Sequence, residues 1–239
     1  MPKRCNGRAP DALRPVTITR NFIKNAAGSV LVSFGDTKVV CTASFEEKPP
    51  PWMRGQNRGW VTAEYAMLPG SAQGRVSRDS AKQGRAQEIS RLIGRSLRAV
   101  TNLNAMGECM VIVDCDVLQA DGGTRSAAVT GAWVALHDAF QRSVRSGYLE
   151  EIPLTGQCAA VSAGMVERVP MLDLCYGEDS KAGVDMNFVM DDAGRLIEIQ
   201  GTAEGVPFSQ EDLGRLLALG CKGARELIAI QKDAIDHET

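Results

Sequence analysis

The segment from Asp114 to Gly131 reads Asp-Cys-Asp-Val-Leu-Gln-Ala-Asp-Gly-Gly-Thr-Arg-Ser-Ala-Ala-Val-Thr-Gly. The run leading into it, Met110 to Val117, is short, apolar and rich in β-branched residues, which predicts a buried strand. Downstream, Ala128, Val129, Ala132, Trp133, Leu136 and Phe140 recur at helical spacing. Gly122 and Gly123 separate the two periods, so the order is strand, glycine turn, helix. This order gathers unpaired backbone N–H groups and the positive end of a helix dipole at one point. Thr124 adds a hydroxyl there and Arg125 a guanidinium, a combination that holds inorganic phosphate or a phosphodiester oxygen. An ordinary strand-to-helix turn, whose glycines serve only the backbone, gives the same local signal.

Working outward, Val16 to Arg20 alternates like an edge strand, and Ser29–Phe34 with Thr37–Phe45 forms a hairpin about Gly35-Asp36. Trp60 to Met67 is a further strand. Ile89, Leu92, Ile93, Leu97 and Val100 then make the apolar stripe of a helix whose other face carries Arg91, Arg95 and Arg98. Arg85 sits at its start, where the dipole disfavours a cation unless an anion is present. Strands are expected at Ala159–Met165 and Met171–Tyr176, and a hairpin from Asp185–Met190 and Leu196–Gln200. Ser209 and Asp212 cap a last helix. Strands and helices come in runs, which predicts an α+β fold of mixed or antiparallel sheets packed against helices. No domain boundary stands out, so residues 1–239 are read as one domain, with a mobile arm over residues 1–14.

The 239 residues carry 27 basic and 29 acidic side chains, so the net charge exerts no global pull on nucleic acid. From Gly70 to Arg98, however, Arg75, Arg78, Lys82, Arg85, Arg91, Arg95 and Arg98 face only Asp79 and Glu88. No apolar run is long enough to span a bilayer, and the charged start lacks the apolar core of a secretory signal. The seven cysteines include no Cys-x-x-Cys pair, and Cys41, Cys109, Cys115, Cys158 and Cys175 lie in or beside strand-like runs. A cytoplasmic protein with reduced, packed thiols is expected, without a disulfide framework or zinc site.

Asp179 falls in the connection between two expected strands and Asp185 opens the second, so a loop folding back brings the two carboxylates together. Close acids raise one another's pKa and make a proton donor, or they hold a divalent cation; a plain polar turn is the third reading. Only His137 and His237 are present, which disfavours Ser-His or Cys-His nucleophilic catalysis. A phosphate nucleophile, already anionic at neutral pH, has less need of such a base.

Four segments together resemble the ribonuclease PH family: Gly84-Arg85-x-x-Glu88-Ile89-x-Arg91-Leu92-Ile93-Gly94-Arg95, Asp114 to Arg125, Glu178-Asp179-Ser180 with Val184-Asp185-Met186-Asn187, and Glu198 to Gly205. The similarity runs from Arg14-Pro15 to the C-terminal helix. It implies the RNase PH fold and a phosphate-dependent 3′→5′ exoribonuclease that trims tRNA precursors, and by extension rRNA. Nucleoside diphosphates are released and the reaction is reversible. By position, Arg85, Gly123, Thr124 and Arg125 correspond to the phosphate site, and Asp179 and Asp185 to the acidic pair, with Mg²⁺ as a candidate metal on both. The resemblance also implies a homohexameric ring, a trimer of dimers. The basic loop before the first long helix would grip tRNA through Arg75, Arg78 and Lys82, with Arg91 beyond it. In that loop Gly70 stands where a basic residue is common, and Ala86 replaces a usual threonine. The competing readings are an inert RNA-binding ring subunit and a two-metal hydrolase.

Overall fold

The computed structural model describes residues 4–82 and 84–237; the first three positions of the expected arm lie outside them. The first half of the chain makes a five-stranded sheet from β1 (Val16–Arg20), β2 (Gly28–Phe34), β3 (Thr37–Glu46), β4 (Trp60–Met67) and β5 (Met110–Gln119), in the order β1-β2-β3-β5-β4. Its pairings are antiparallel except β4 with β5. A parallel pair needs a crossover, and α1 (Gly84–Ala99) supplies it. The second sheet, β7-β6-β8-β9, is antiparallel and uses β6 (Cys158–Val166), β7 (Val169–Leu172), β8 (Val184–Asp191) and β9 (Leu196–Ala203). The predicted mixed α+β architecture is the one observed.

Helix α2 (Thr124–Arg145) packs on β2 and β3 on one side and on β6 on the other. That position explains a helix apolar on nearly every face. Its Val129, Ala132 and Leu136 share one core with Val32 and Val117 of the first sheet and Val161 of the second. The last helix, α4 (Gln210–Asp236), covers β6, β7 and β8 and starts at Ser209, whose hydroxyl accepts from the Asp212 N–H.

Two expectations change around residue 173. The strand expected over Met171–Tyr176 ends at Leu172. Asp173 turns the chain at φ +54, with its N–H on the Ser162 carbonyl and the Leu174 N–H on the Ser162 hydroxyl. Tyr176–Asp179 then forms the one-turn helix α3. Strands β7 and β8 flank β6 on opposite sides, so the loop bearing Asp179 crosses the sheet end and is not a hairpin turn.

The arm is also anchored from Arg4 onward. Arg4 is buried and donates to both carboxylate oxygens of Glu178 at 2.9 and 2.7 Å, and Arg8 reaches Glu178 as well. A bidentate guanidinium pair out of water outweighs the freedom of a polar tail. The same docking places the Cys5 sulfur on Cys175, which corrects the expectation that Cys175 packs as a lone thiol; the two are joined, and the other five cysteines are free. Burial works to raise the Glu178 pKa, but the bonds and charge of Arg4 dominate and hold it at about 2. A lowered pKa gives stability above the ordinary value of 4.5, lost as pH falls toward 2. Arg4→Met is therefore expected to cost about 3 kcal/mol at neutral pH in urea unfolding. The difference from wild type should shrink in acid.

Candidate active site

The end of β5 feeds the glycine turn, and the turn feeds α2. Gly122 and Gly123 both take left-handed conformations, at φ +72 and +65. A Cβ on Gly122 would lie 2.7–2.8 Å from backbone atoms of Leu174, Cys175 and Tyr176, so the turn needs glycine for close approach as well as for conformation. The N-cap, Gly123, has no side chain to occupy the helix end, and the first intrahelical bond runs from the Ala127 N–H to the Gly123 carbonyl. The amides before it face the open end. Thr124 is buried there, its Oγ1 accepting from the Tyr65 hydroxyl at 2.9 Å. Burial raises the Tyr65 pKa, so that group stays a neutral donor and leaves the Thr124 proton for another acceptor.

Around this end lies a cleft of about 360 Å³, lined among others by Arg85, Gly122, Thr124, Arg125, Asp179 and Asp185. The predicted phosphate residues and acidic pair thus share one cavity. Arg125 donates to Gln200 Oε1 at 2.6 Å, and Gln200 donates in turn to Glu88 at 2.8 Å. Asp185 and Asn187 lie two apart on β8 and share a face. Asp185 rises from 3.8 to about 6, chiefly through burial and then the neighbouring Asp179 charge, while Arg125, Arg85 and a bond from Asn187 oppose the shift. Burial raises Asp179 too, against the charges of Arg85, Arg125 and Arg14.

The predicted RNA-gripping residues are placed elsewhere. Arg75 and Arg78 are exposed outside the cleft, Lys82 pairs at 3.6 Å with Asp79, and Lys82 and Arg91 line a separate depression along β4. Among the described loop residues, Gln73 is the polar side chain that lines the cleft itself. Sequence reasoning missed Tyr65, Asn187 and Gln200. Asn187 and Gln200 both lie in segments that carry the family resemblance, and Asn187 also has a two-residue offset from Asp185 on a strand; Tyr65 comes from a distant strand with no such signal.

A raised carboxyl facing two arginines and a helix N-terminus can donate a proton beside a bound anion. Comparison with known proteins identifies the family. Two models of the 3′ exoribonuclease family match, domain 1 over residues 12–140 and domain 2 over residues 156–223. The chain is 57% identical over 231 residues to the ribonuclease PH of Methylobacterium radiotolerans, covering 95% of this chain and 98% of that one. The fold is shared with rice Rrp46 at TM-score 0.78 and 19% identity, covering 97% and 100% of the two chains. It is shared too with a chain of the Archaeoglobus fulgidus exosome, solved with RNA bound to the active site, at 0.81 and 23%, covering 94% and 91%. On this identity and near-complete coverage, the chain belongs to the 3′ exoribonuclease family of ribonuclease PH.

Proposed function

We propose that the chain is a phosphorolytic 3′→5′ exoribonuclease, a tRNA nucleotidyltransferase, that removes nucleotides beyond the CCA end of tRNA precursors. The observation that carries this reading is the opposition, in one cleft, of an open helix N-terminus with two arginines and a carboxyl poised near neutrality. Inorganic phosphate sits on the amides of α2, the Thr124 hydroxyl, Arg125 and Arg85. It attacks the last phosphodiester, and a nucleoside diphosphate leaves. Asp185 protonates the departing ribose 3′-oxygen, and in the reverse direction its carboxylate accepts that proton. Asp179 keeps the Asp185 proton in place through its charge. Asp179 and Asp185 are the residues that would hold a Mg²⁺, which would supply positive charge against the negative charge developing on the phosphate oxygens.

Arg75, Arg78, Lys82 and Arg91, spread over the exposed surface beside the cleft, hold the RNA body by its phosphates. The continuous core through α2 supports one folding unit for the whole chain. Exposed Leu196 and Ile199 on the edge strand β9 offer apolar surface for further copies in a homohexamer built as a trimer of dimers. The compartment is the cytoplasm, which the five free cysteines favour and the Cys5–Cys175 bond does not.

The test is product analysis on a 3′-tailed tRNA with and without phosphate. Diphosphates appearing only with phosphate are expected; monophosphates, formed equally well without it, would end the proposal. Arg125→Ala should raise the KM for phosphate roughly tenfold or more, the worth of one charge-assisted contact.

A further inference from the structure

The glycine turn poses a physical problem. Two successive glycines have no side chains to fix their peptide planes, and a flipped plane would aim a carbonyl, not an amide, at the anion. The structure meets it from below. The Asp121 carbonyl accepts from Arg14 Nη1 at 2.6 Å. The Gly122 carbonyl accepts from the Thr37 hydroxyl at 2.6 Å and from Arg14 Nη2 at 3.3 Å. Thr37 Oγ1 also accepts the Asp121 N–H at 2.9 Å, so one hydroxyl grips both sides of that residue's link to Gly122.

Both side chains are built in. Thr37 is 0% exposed and Arg14 3%. Thr37 opens β3 just before the register with β5 shifts between Lys38 and Val39, which frees it to face the turn. Arg14 is fixed in turn by Asp173, through its backbone N–H, Nε and Nη2 at 2.8, 3.0 and 2.7 Å. Asp173 belongs to the segment that leads into α3 and Asp179.

We propose that Thr37 and Arg14 are positioning residues for the nucleophile: they hold the carbonyls of Asp121 and Gly122 toward the core, so that the turn's amides stay aimed at phosphate. This rests on the reading of the turn as the phosphate site. Neither side chain lines the cleft; Thr37 acts through the turn, and Arg14 acts through the turn and through its charge on Asp179. Arg14 adds a second constraint, fixing the spacing between the phosphate turn and the acid-bearing segment.

The decisive variant is Thr37→Val, which keeps the shape and removes the hydroxyl's bonds to Asp121 and Gly122 together with the longer one it accepts from Arg14 Nη1 at 3.5 Å. The KM for phosphate should rise roughly tenfold to a hundredfold, the scale of a misplaced reactant. The kcat at saturating phosphate and the KM for RNA should stay within about threefold. Thr37→Ser, which keeps the hydroxyl, should restore the phosphate KM. The stabilisation of the folded protein by inorganic phosphate alone, read as a shift in Tm, should shrink in the valine variant and return in the serine one.

An unchanged phosphate KM in folded Thr37→Val overturns the proposal. So does a fall in kcat at constant phosphate KM, or a serine variant no better than valine. If Thr37→Val does not fold, Arg14→Lys, which keeps the charge but not the fork, must raise the same KM or the proposal fails. Wild-type turnover indifferent to phosphate would sink the phosphorolytic reading and this proposal together. Phosphate-dependent wild type with an unaltered valine variant sinks only the positioning role.

Discussion

Asp185→Asn is expected to lower phosphorolysis by about 10²–10⁴-fold with little change in RNA affinity, because the amide has the shape of the acid without its proton. Single-turnover measurement on a 3′-tailed tRNA at saturating phosphate checks it. A loss confined to KM would remove Asp185 from proton transfer. Its pKa of about 6 also fixes a pH signature. The trimming direction needs the protonated acid, so kcat/KM for RNA should fall as pH rises above about 6. The synthetic direction needs the carboxylate and should rise through the same range. The variant should lose both limbs.

The same substitution should stabilise the protein. A carboxyl with a raised folded pKa contributes stability below its ordinary value of 3.8 and loses it as pH rises through about 6. At neutral pH the buried charge is therefore a cost, at most roughly 3 kcal/mol at 1.36 kcal/mol per pKa unit. Asparagine carries no charge, and its Tm should exceed that of the wild type above neutrality and approach it in acid. Activity and stability are expected to move in opposite directions at one position.

Gly122→Ala should be nearly as severe for activity, by a different route. The backbone of Gly122 is at φ +72, which costs a side-chain-bearing residue about 1–2 kcal/mol. The new methyl would also meet the Leu174 carbonyl at 2.7 Å, and backbone atoms of Cys175 and Tyr176 at 2.8 Å, none of which can rotate aside. The turn and the start of α3 must separate, which moves Thr124 relative to Asp179. A displacement near 1 Å is worth about a hundredfold in rate. A phosphate kcat/KM lowered about a hundredfold, with a reduced Tm, is expected. Gly147→Ala is the control: it has φ +75 but nothing within 4 Å, at the far end of α2, so its activity should remain. Equal activity in the two variants would count against close packing of turn and α3.

The parts of the site that were legible in the sequence are those carried by short-range pattern. Strand β5, the paired glycines, Thr124 and the apolar repeat of α2 lie within about thirty consecutive residues, so periodicity and turn chemistry suffice. Arg85 betrayed itself by standing against the helix dipole. What stayed hidden depends on sequence-distant pairing. The place of β7 beside β6, away from β8, is set by sheet order, which the local alternation of Met171–Tyr176 does not encode. Arg4 meets Glu178 across 174 positions, and Tyr65 meets Thr124 across 59. The arm looked mobile because its charges had no visible partners nearby. The basic residues of the 69–84 region were visible as a charge run, but composition does not say which way each one points.

Helix α2 begins in the cleft and then runs as the spine of both sheets to Arg145, held along the way where Arg20 clasps Asp138. A nucleophile seat welded to such a spine has no freedom to travel. After each released nucleotide the chain being digested must therefore slide inward by one step toward an unmoving anvil.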